Sequence, residues 1–320
     1  MNLKKVTIIG PGALGILFAA GIWQKFKGLC LLHHDENKAM GLEAHGIEVV
    51  KAKNGGKMVA FPKVTASSRD LGTQDVVLVL VKTYQTTTVI DSLKDLCGKK
   101  TAVITLQNGI GSADILETVV PRSNLILGVT MHGANRVEEN TVVHAGKGQT
   151  FLGMVDSDAE PLETAVEFAK LLNRCGFETN FVKDIYPIIW KKLLVNVGIN
   201  ALTALTMLRN GQILKYPNLT KIQEMAVREA YNVMQKKGID VGLDLKGIRE
   251  LVRKVSMDTA ENISSMLQDR LKKTRTEIDF INGAIVRLGR ELGIETPVNE
   301  TLYALVDFCG HCHWEQGEPR

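Results

Sequence analysis

Val6-Thr7-Ile8-Ile9-Gly10-Pro11-Gly12-Ala13-Leu14-Gly15-Ile16-Leu17-Phe18 is the stretch on which the fold turns. Four strand-forming residues end at glycine, and an apolar run with helical character continues from Ala13 to Gln24. Gly10 to Gly15 has the spacing G-x-G-x-x-G. That pattern alone is weak, but directly after a strand and opening a helix it is the fingerprint of a dinucleotide site. Gly10 permits a tight turn, Gly12 lets the backbone approach a pyrophosphate, and Gly15 lets helix and strand pack closely. The helix start adds N–H groups and a partial positive charge. Gly10, Pro11, Gly12, Ala13, Leu14 and Gly15 are therefore the expected cofactor-binding residues.

Outward from this turn the first half alternates strand and helix. Leu29–Leu32 reads as a second strand, and Val76–Val81 as a continuous apolar strand of the kind buried on both faces. A helix over Gln85–Leu96, a strand over Ala102–Leu106, a helix over Ser112–Val119 and a strand over Leu125–Met131 continue the rhythm. Such βαβ units predict a doubly wound sheet with right-handed crossovers. Thr141–Ala145 and Thr150–Leu152 read as a hairpin around Gly146 and Gly148. A helix over Pro161–Cys175 and a strand over Phe177–Phe181 close the half. Beyond Lys183 strand signals nearly vanish. Ile278, Ile281, Ile285, Leu288 and Leu292 recur at helical steps. The fold class is thus α/β, a Rossmann-type domain over 1–183 followed by an all-helical domain over 184–320.

Two segments imitate something else. Lys4 and Lys5 before the apolar run Val6–Trp23 resemble an export signal, but Gly10, Pro11, Gly12 and Gly15 at its front belong to a nucleotide fold. Cys309-Gly310-His311-Cys312-His313 matches the haem-attachment pattern C-x-x-C-H. Haem attachment needs export, so incidental thiols at a helix end are the simpler reading, and no metal site is expected. The five cysteines are scattered and odd in number, as in a reduced, cytoplasmic protein. A net charge of +4, from 39 basic and 35 acidic residues in 320, gives no argument for nucleic acid or a membrane. It suits an anionic small molecule. A homodimer stays open.

The 2′-position of the dinucleotide is read at the end of the second strand, where His33, His34, Asp35 and Lys38 follow. An acidic residue there favours NAD, and a cation favours NADP. Asp35 argues for the first; His33, His34 and Lys38 argue for the second.

In the helical half, Lys192, Asn196 and Asn200 stand at i, i+4 and i+8 within Trp190–Asn200 and share one face. Their apolar neighbours predict partial burial, and buried amides need partners that a ligand could provide. On spacing alone, a stripe facing water is equally open. Lys191 points elsewhere. Asn262-Ile263-Ser264-Ser265 and Thr276-Glu277-Ile278-Asp279 place short polar groups and a carboxylate in the same half, a pattern that ordinary solvated charge also explains.

Taken together, the Gly10–Gly15 turn, Lys82 after the Val76–Val81 strand, Gln107-Asn108-Gly109-Ile110-Gly111, the Trp190–Asn200 helix and the stretch Asn262 to Asp279 resemble the ketopantoate reductase family over nearly the whole length. The resemblance implies a Rossmann domain joined to a helical domain, with the active site in the cleft. It implies NADPH-dependent reduction of 2-dehydropantoate, a 2-keto acid, to pantoate, a step towards coenzyme A. It makes Lys192 the catalytic lysine, Glu277 its acidic partner, Asn196 and Asn200 substrate-hydroxyl contacts, Ser265 a substrate-carboxylate contact and Asn262 a helper. Asn108 would touch both cofactor and substrate, and Lys82 and His34 would lie near the cofactor. A free lysine titrates near about 10.4, whereas a useful acid at neutral pH wants roughly 8. Partial burial beside Trp190 would supply the shift, and Glu277 would oppose it, so Glu277 is expected to orient. Family members usually carry Arg where this chain has His33-His34, which leaves NAD open beside NADP. A relative acting on another 2-keto acid, or a non-catalytic dinucleotide-binding regulator, are the competing readings.

Overall fold

The computed structural model describes residues 3–52 and 55–311. Contacts divide the chain into two compact units, one of Met1–Gln107 and Ser112–Ile185, the other of Asn108–Gly111 and Tyr186–Arg320.

The first unit begins β1 (Val6–Ile9), α1 (Ala13–Trp23), β2 (Leu29–Leu32), α2 (Glu36–His45), β3 (Ile47–Lys51), β4 (Lys57–Ala60) and β5 (Lys63–Thr65). It continues β6 (Val76–Val79), α3 (Ile90–Leu96), β7 (Ala102–Thr105), α4 (Ser112–Leu116) and β8 (Leu125–Thr130). It ends β9 (Gly133–Arg136), β10 (Thr141–Gly146), β11 (Thr150–Met154), α5 (Glu163–Arg174) and β12 (Thr179–Phe181). An eight-stranded sheet runs β12-β11-β8-β7-β6-β1-β2-β5. It is parallel throughout except where β11 runs antiparallel to β8. From β1 the chain moves outward to β2, then returns across to β6, in register Ile9 to Val79. That reversal is the topological switch point, where crevices form beyond the strand ends.

A second sheet, β4-β3-β10-β9, has no counterpart in the sequence reading. It contacts α1 through all four of its strands, while β1 and β2 contact α1 from the main sheet. Gly15 through Ile22 are consequently all buried. A helix apolar all round is one covered on all sides, which is why Val6–Trp23 looks like an export signal.

The expected hairpin of Thr141–Ala145 with Thr150–Leu152 is not formed. β10 pairs with β3 and β9 in the small sheet, whereas β11 pairs with β8 and β12 in the large one. The residues around Gly146 and Gly148 carry the chain from one sheet to the other. The stretch expected as one helix over Gln85–Leu96 is a 3-10 segment, Thr83–Val89, followed by α3.

The second unit is helical: α6 (Tyr186–Thr206), α7 (Pro217–Lys236), α8 (Leu245–Asp258), α9 (Ser265–Leu271), α10 (Asn282–Leu292) and α11 (Pro297–His311). α6 packs against α7, α8, α9 and α11. Among the described helices it alone is long and apolar enough to cross a membrane. Here Trp190, Leu193, Leu194 and Val197 spend that apolar surface on the unit's own core. The expected periodic helix from Ile278 is broken. Ile278–Phe280 is a 3-10 turn, Ile281 leaves helical geometry, and α10 starts at Asn282. Ile278, Ile281 and Ile285 are buried all the same. Glu229 of α7 caps α11 by accepting the Val298 and Asn299 N–H groups at 3.0 and 2.9 Å. The haem-like pattern falls partly outside the described residues, since Cys312 and His313 lie beyond 311.

One contact ties the two sheets of the first unit. His132, just after β8 and only 7% exposed, shares a 3.0 Å hydrogen bond between its Nδ1 and Nε2 of His144 on β10. Phe18 of α1 and Phe177 meet the His132 ring edge-on. Burial, then His144 and Lys147, push the His132 imidazole down to about 4. An unfolded histidine takes its proton near 6.5, so the unfolded chain binds more protons between those two values, and stability is lost as pH falls through that window. Urea midpoints taken from pH 7 to 4 should drop along it, and His132→Gln should flatten the drop; an unchanged slope in the variant contradicts this account.

Candidate active site

The turn behind β1 has the geometry that its glycines require. Gly10 has φ +86, and a Cβ there would lie 2.7 Å from the backbone nitrogen of Val81, just past β6. A Cβ on Gly15 would collide with the Gly10 carbonyl oxygen. Gly12 is different: a Cβ there would meet no protein atom within 4 Å. Two glycines are thus fixed by the fold, while the third faces open space at the start of α1. An α-helix leaves its first N–H groups without intrahelical acceptors, here those of Ala13, Leu14 and Gly15. Open space at Gly12 beside such donors fits a pyrophosphate.

At the end of β2 the four candidates separate. Asp35 is the N-cap of α2, and its Oδ1 accepts the Lys38 N–H at 3.0 Å. His33 is buried, receives the Asp35 N–H on Nδ1 at 2.9 Å, and is held below the ordinary histidine range by burial. His34 is exposed and stacks on His33, ring centroids 4.7 Å apart and planes 20° apart. Lys38 lies 3.7 Å from Glu139. Lys82, half-buried, follows β6, and its backbone N–H donates to Gln85 Oε1 at 3.3 Å. The reading of the sequence assigned no role to Gln107. Its amide donates to Val81 O at 2.9 Å and to Thr86 Oγ1 at 3.0 Å, and so fixes the loop that carries Lys82. A polar side chain at the end of β7 was the available signal.

In the second unit, α6 carries Lys192, Asn196 and Asn200. Asn200 is 5% exposed; Lys192 and Asn196 are half-buried. Lys191 is half-buried as well. Desolvation of the Lys192 ammonium is the dominant influence on it. It lowers the amine to about 8 against the opposing attraction of Glu277.

Glu277 is 5% exposed and its Oε2 accepts from Asn108 Nδ2 at 3.2 Å. That pairing depends on the segment 108–111 lying against the 3-10 turn of Ile278–Phe280. The Ile110 N–H donates to Phe280 O at 2.9 Å. Gly109 has φ +84, and a Cβ there would overlap the same carbonyl. Asn108, Lys192 and Glu277 are thereby brought into one electrostatic group.

Asn262 and Ser265 differ from that group in burial. Both are exposed. The Asn262 carbonyl accepts the Asn210 N–H at 3.0 Å, and Ser265 is the first residue of α9. The capping of α9 falls instead to Ser264, whose Oγ accepts the Leu267 N–H at 3.1 Å.

The glycine turn at the switch point is of the kind found in dinucleotide-dependent oxidoreductases. Residues 6–157 match the family Ketopantoate reductase PanE/ApbA, and residues 184–309 match its C-terminal domain. The 2-dehydropantoate 2-reductase of Archaeoglobus fulgidus is 36% identical over 96% of this chain and 98% of its own. That of Halobacterium salinarum is 35% identical over 94% and 97%. A D-mandelate dehydrogenase solved with NADH and anilino(oxo)acetate superposes with a TM-score of 0.87, at 27% identity over 96% of this chain and 98% of that one. The chain belongs to the ketopantoate reductase family.

The three glycines separate folding from binding. Gly10→Ala should cost about 2–4 kcal/mol of stability through backbone strain and the Val81 contact. Gly12→Ala should stay within about 0.5 kcal/mol of the parent yet weaken nicotinamide-dinucleotide binding at least about tenfold. Urea unfolding and quenching of protein fluorescence by NADPH and by NADH measure the two effects. Unchanged affinity in Gly12→Ala would remove the turn from the cofactor site.

Proposed function

We propose that the protein reduces 2-dehydropantoate to pantoate with NADPH, and that Lys192 donates the proton. The observation that carries the reading is the seat of Lys192 on α6 within electrostatic reach of the buried Glu277, whose carboxylate Asn108 Nδ2 holds at 3.2 Å; burial lowers the amine to about 8 and Glu277 opposes that shift. When bound, the nicotinamide supplies a hydride to the C2 carbonyl carbon. Negative charge then grows on the carbonyl oxygen. Lys192 neutralises that charge and delivers its proton there. Glu277 keeps the ammonium oriented and accepts a hydrogen bond from a substrate hydroxyl. The Asn108 amide holds its carboxylate in place. Asn196 and Asn200, one and two turns along the same face of α6, offer amides to the substrate hydroxyl. Ser265, helped by Asn262, takes the substrate carboxylate at the start of α9. Gly10 to Gly15 hold the pyrophosphate, with Lys82 and Asn108 contributing contacts. With Asp35 occupied as a helix cap, His34 is the group at the end of β2 for a 2′-phosphate. The reading places the protein in the cytoplasm, on the route to pantothenate and coenzyme A.

A second reading is favoured by the likeness to a D-mandelate dehydrogenase solved with NADH. In it the same lysine chemistry serves another 2-keto acid, with NADH as donor. Initial rates of NADPH and NADH oxidation with 2-dehydropantoate and with simpler 2-keto acids decide between the two. Preference for another acid sinks the first.

Because the protonated amine is the donor, kcat/KM for reduction should be level below about pH 8 and fall as pH rises through it. Lys192→Met should lower turnover by about 10²–10⁴-fold, abolish that limb and leave NADPH binding intact. Retained activity would end the assignment of Lys192.

A further inference from the structure

Thr203 lies on α6, three residues past Asn200, and is wholly buried. Its hydroxyl donates within its own helix, to Ile199 O and Asn200 O, both at 3.0 Å. It also lies 2.7 Å from the hydroxyl of Ser264, itself 6% exposed. Each hydroxyl has one proton. With the Thr203 proton turned to the carbonyls of α6, the proton across the 2.7 Å contact is that of Ser264. Ser264 in turn receives the Leu267 N–H at 3.1 Å. The bonds therefore run one way, from the Leu267 amide through Ser264 and Thr203 to the main chain of α6 at Asn200. Both hydroxyls are withdrawn from water, so losing one leaves the other without its partner.

We propose that Thr203 is a positioning residue for substrate-carboxylate recognition: through Ser264 it fixes the first turn of α9, and with it Ser265, against the helix that carries Lys192, Asn196 and Asn200. The preceding segment is pinned independently, since Asn210 donates its N–H to Asn262 O at 3.0 Å and its amide to Thr259 Oγ1 at 2.9 Å. Between that point and Leu267, the Thr203–Ser264 contact sets where Ser265 stands. The role rests on the reading of Ser265 given under the proposed function.

The test compares the full-length parent with Thr203→Val, Thr203→Ser and Ser265→Ala. Thr203→Val keeps the shape and removes the hydroxyl. It should raise KM for 2-dehydropantoate about tenfold, with kcat, NADPH affinity and the pH limb near 8 all held. Thr203→Ser should restore KM, which a loss of packing alone would not allow. If Thr203→Val does not fold, Ser264→Ala, which breaks the same contact from the other side together with the cap on Leu267, must reproduce the rise in KM. An unchanged KM in a folded Thr203→Val, beside a raised KM in Ser265→Ala, overturns the relay. An unchanged KM in Ser265→Ala overturns the reading of Ser265 itself. Loss of NADPH affinity in step with KM in Thr203→Val marks general loosening and also overturns the relay.

Discussion

The approach of Gly15 to the Gly10 carbonyl is the contact on which the first unit is built. No side chain fits between them, so α1 leaves β1 on a path open only to glycine. That path aims the helix start at the switch point between β1 and β6, and it brings the body of α1 under the second sheet. One steric fact thus sets both the place where an anion can meet unpaired N–H groups and the arrangement of the most buried helix of the unit. The open space at Gly12 is the one glycine position of the three that the fold itself does not use.

In the second unit the governing balance is electrostatic. α6 spends most of its surface on the core, and Lys192 pays for sharing that helix in desolvation of its ammonium. Glu277 returns part of the cost. The carboxylate is held by Asn108, whose own placement depends on Gly109 fitting against Phe280 O. A glycine far from the lysine in sequence therefore bears on the setting of its proton. The direction matches what acid chemistry at neutral pH asks of a lysine.

Much of this was legible from residue order alone. The strands β1, β2, β6, β7 and β8 announce themselves as apolar runs because parallel strands are covered on both faces. The Gly10–Gly15 spacing carried its own structural context. The small sheet was not legible: Ile47–Lys51 and Lys57–Ala60 are short strands with few buried residues, and β10, the partner of Ile47–Lys51, lies about ninety residues on. The hairpin reading of β10 and β11 failed because proximity in sequence says nothing about which sheet each strand joins. In the site, the spacing of Lys192, Asn196 and Asn200 was visible, since a helix face is local. The competition between Ser264 and Ser265 was not. Ser265 with Gln268 three residues on has the spacing of a capping box, yet the structure caps α9 with Ser264 and leaves Ser265 exposed. Asp35 likewise carries a cap bond to the Lys38 N–H that its place after β2 does not announce. Adjacent residues with the same chemistry are sorted by tertiary partners, which a single sequence does not contain.

The position of α1 has a thermodynamic consequence. Its first turn faces the space at Gly12, and its remaining turns lie between two sheets. The buried turns that follow anchor the helix start to the core of the unit. A ligand seated on the turn therefore binds the native state and not a frayed one. Its binding free energy adds directly to the global unfolding free energy of the unit, growing with the logarithm of its free concentration. Occupancy of the turn and survival of the fold are linked equilibria.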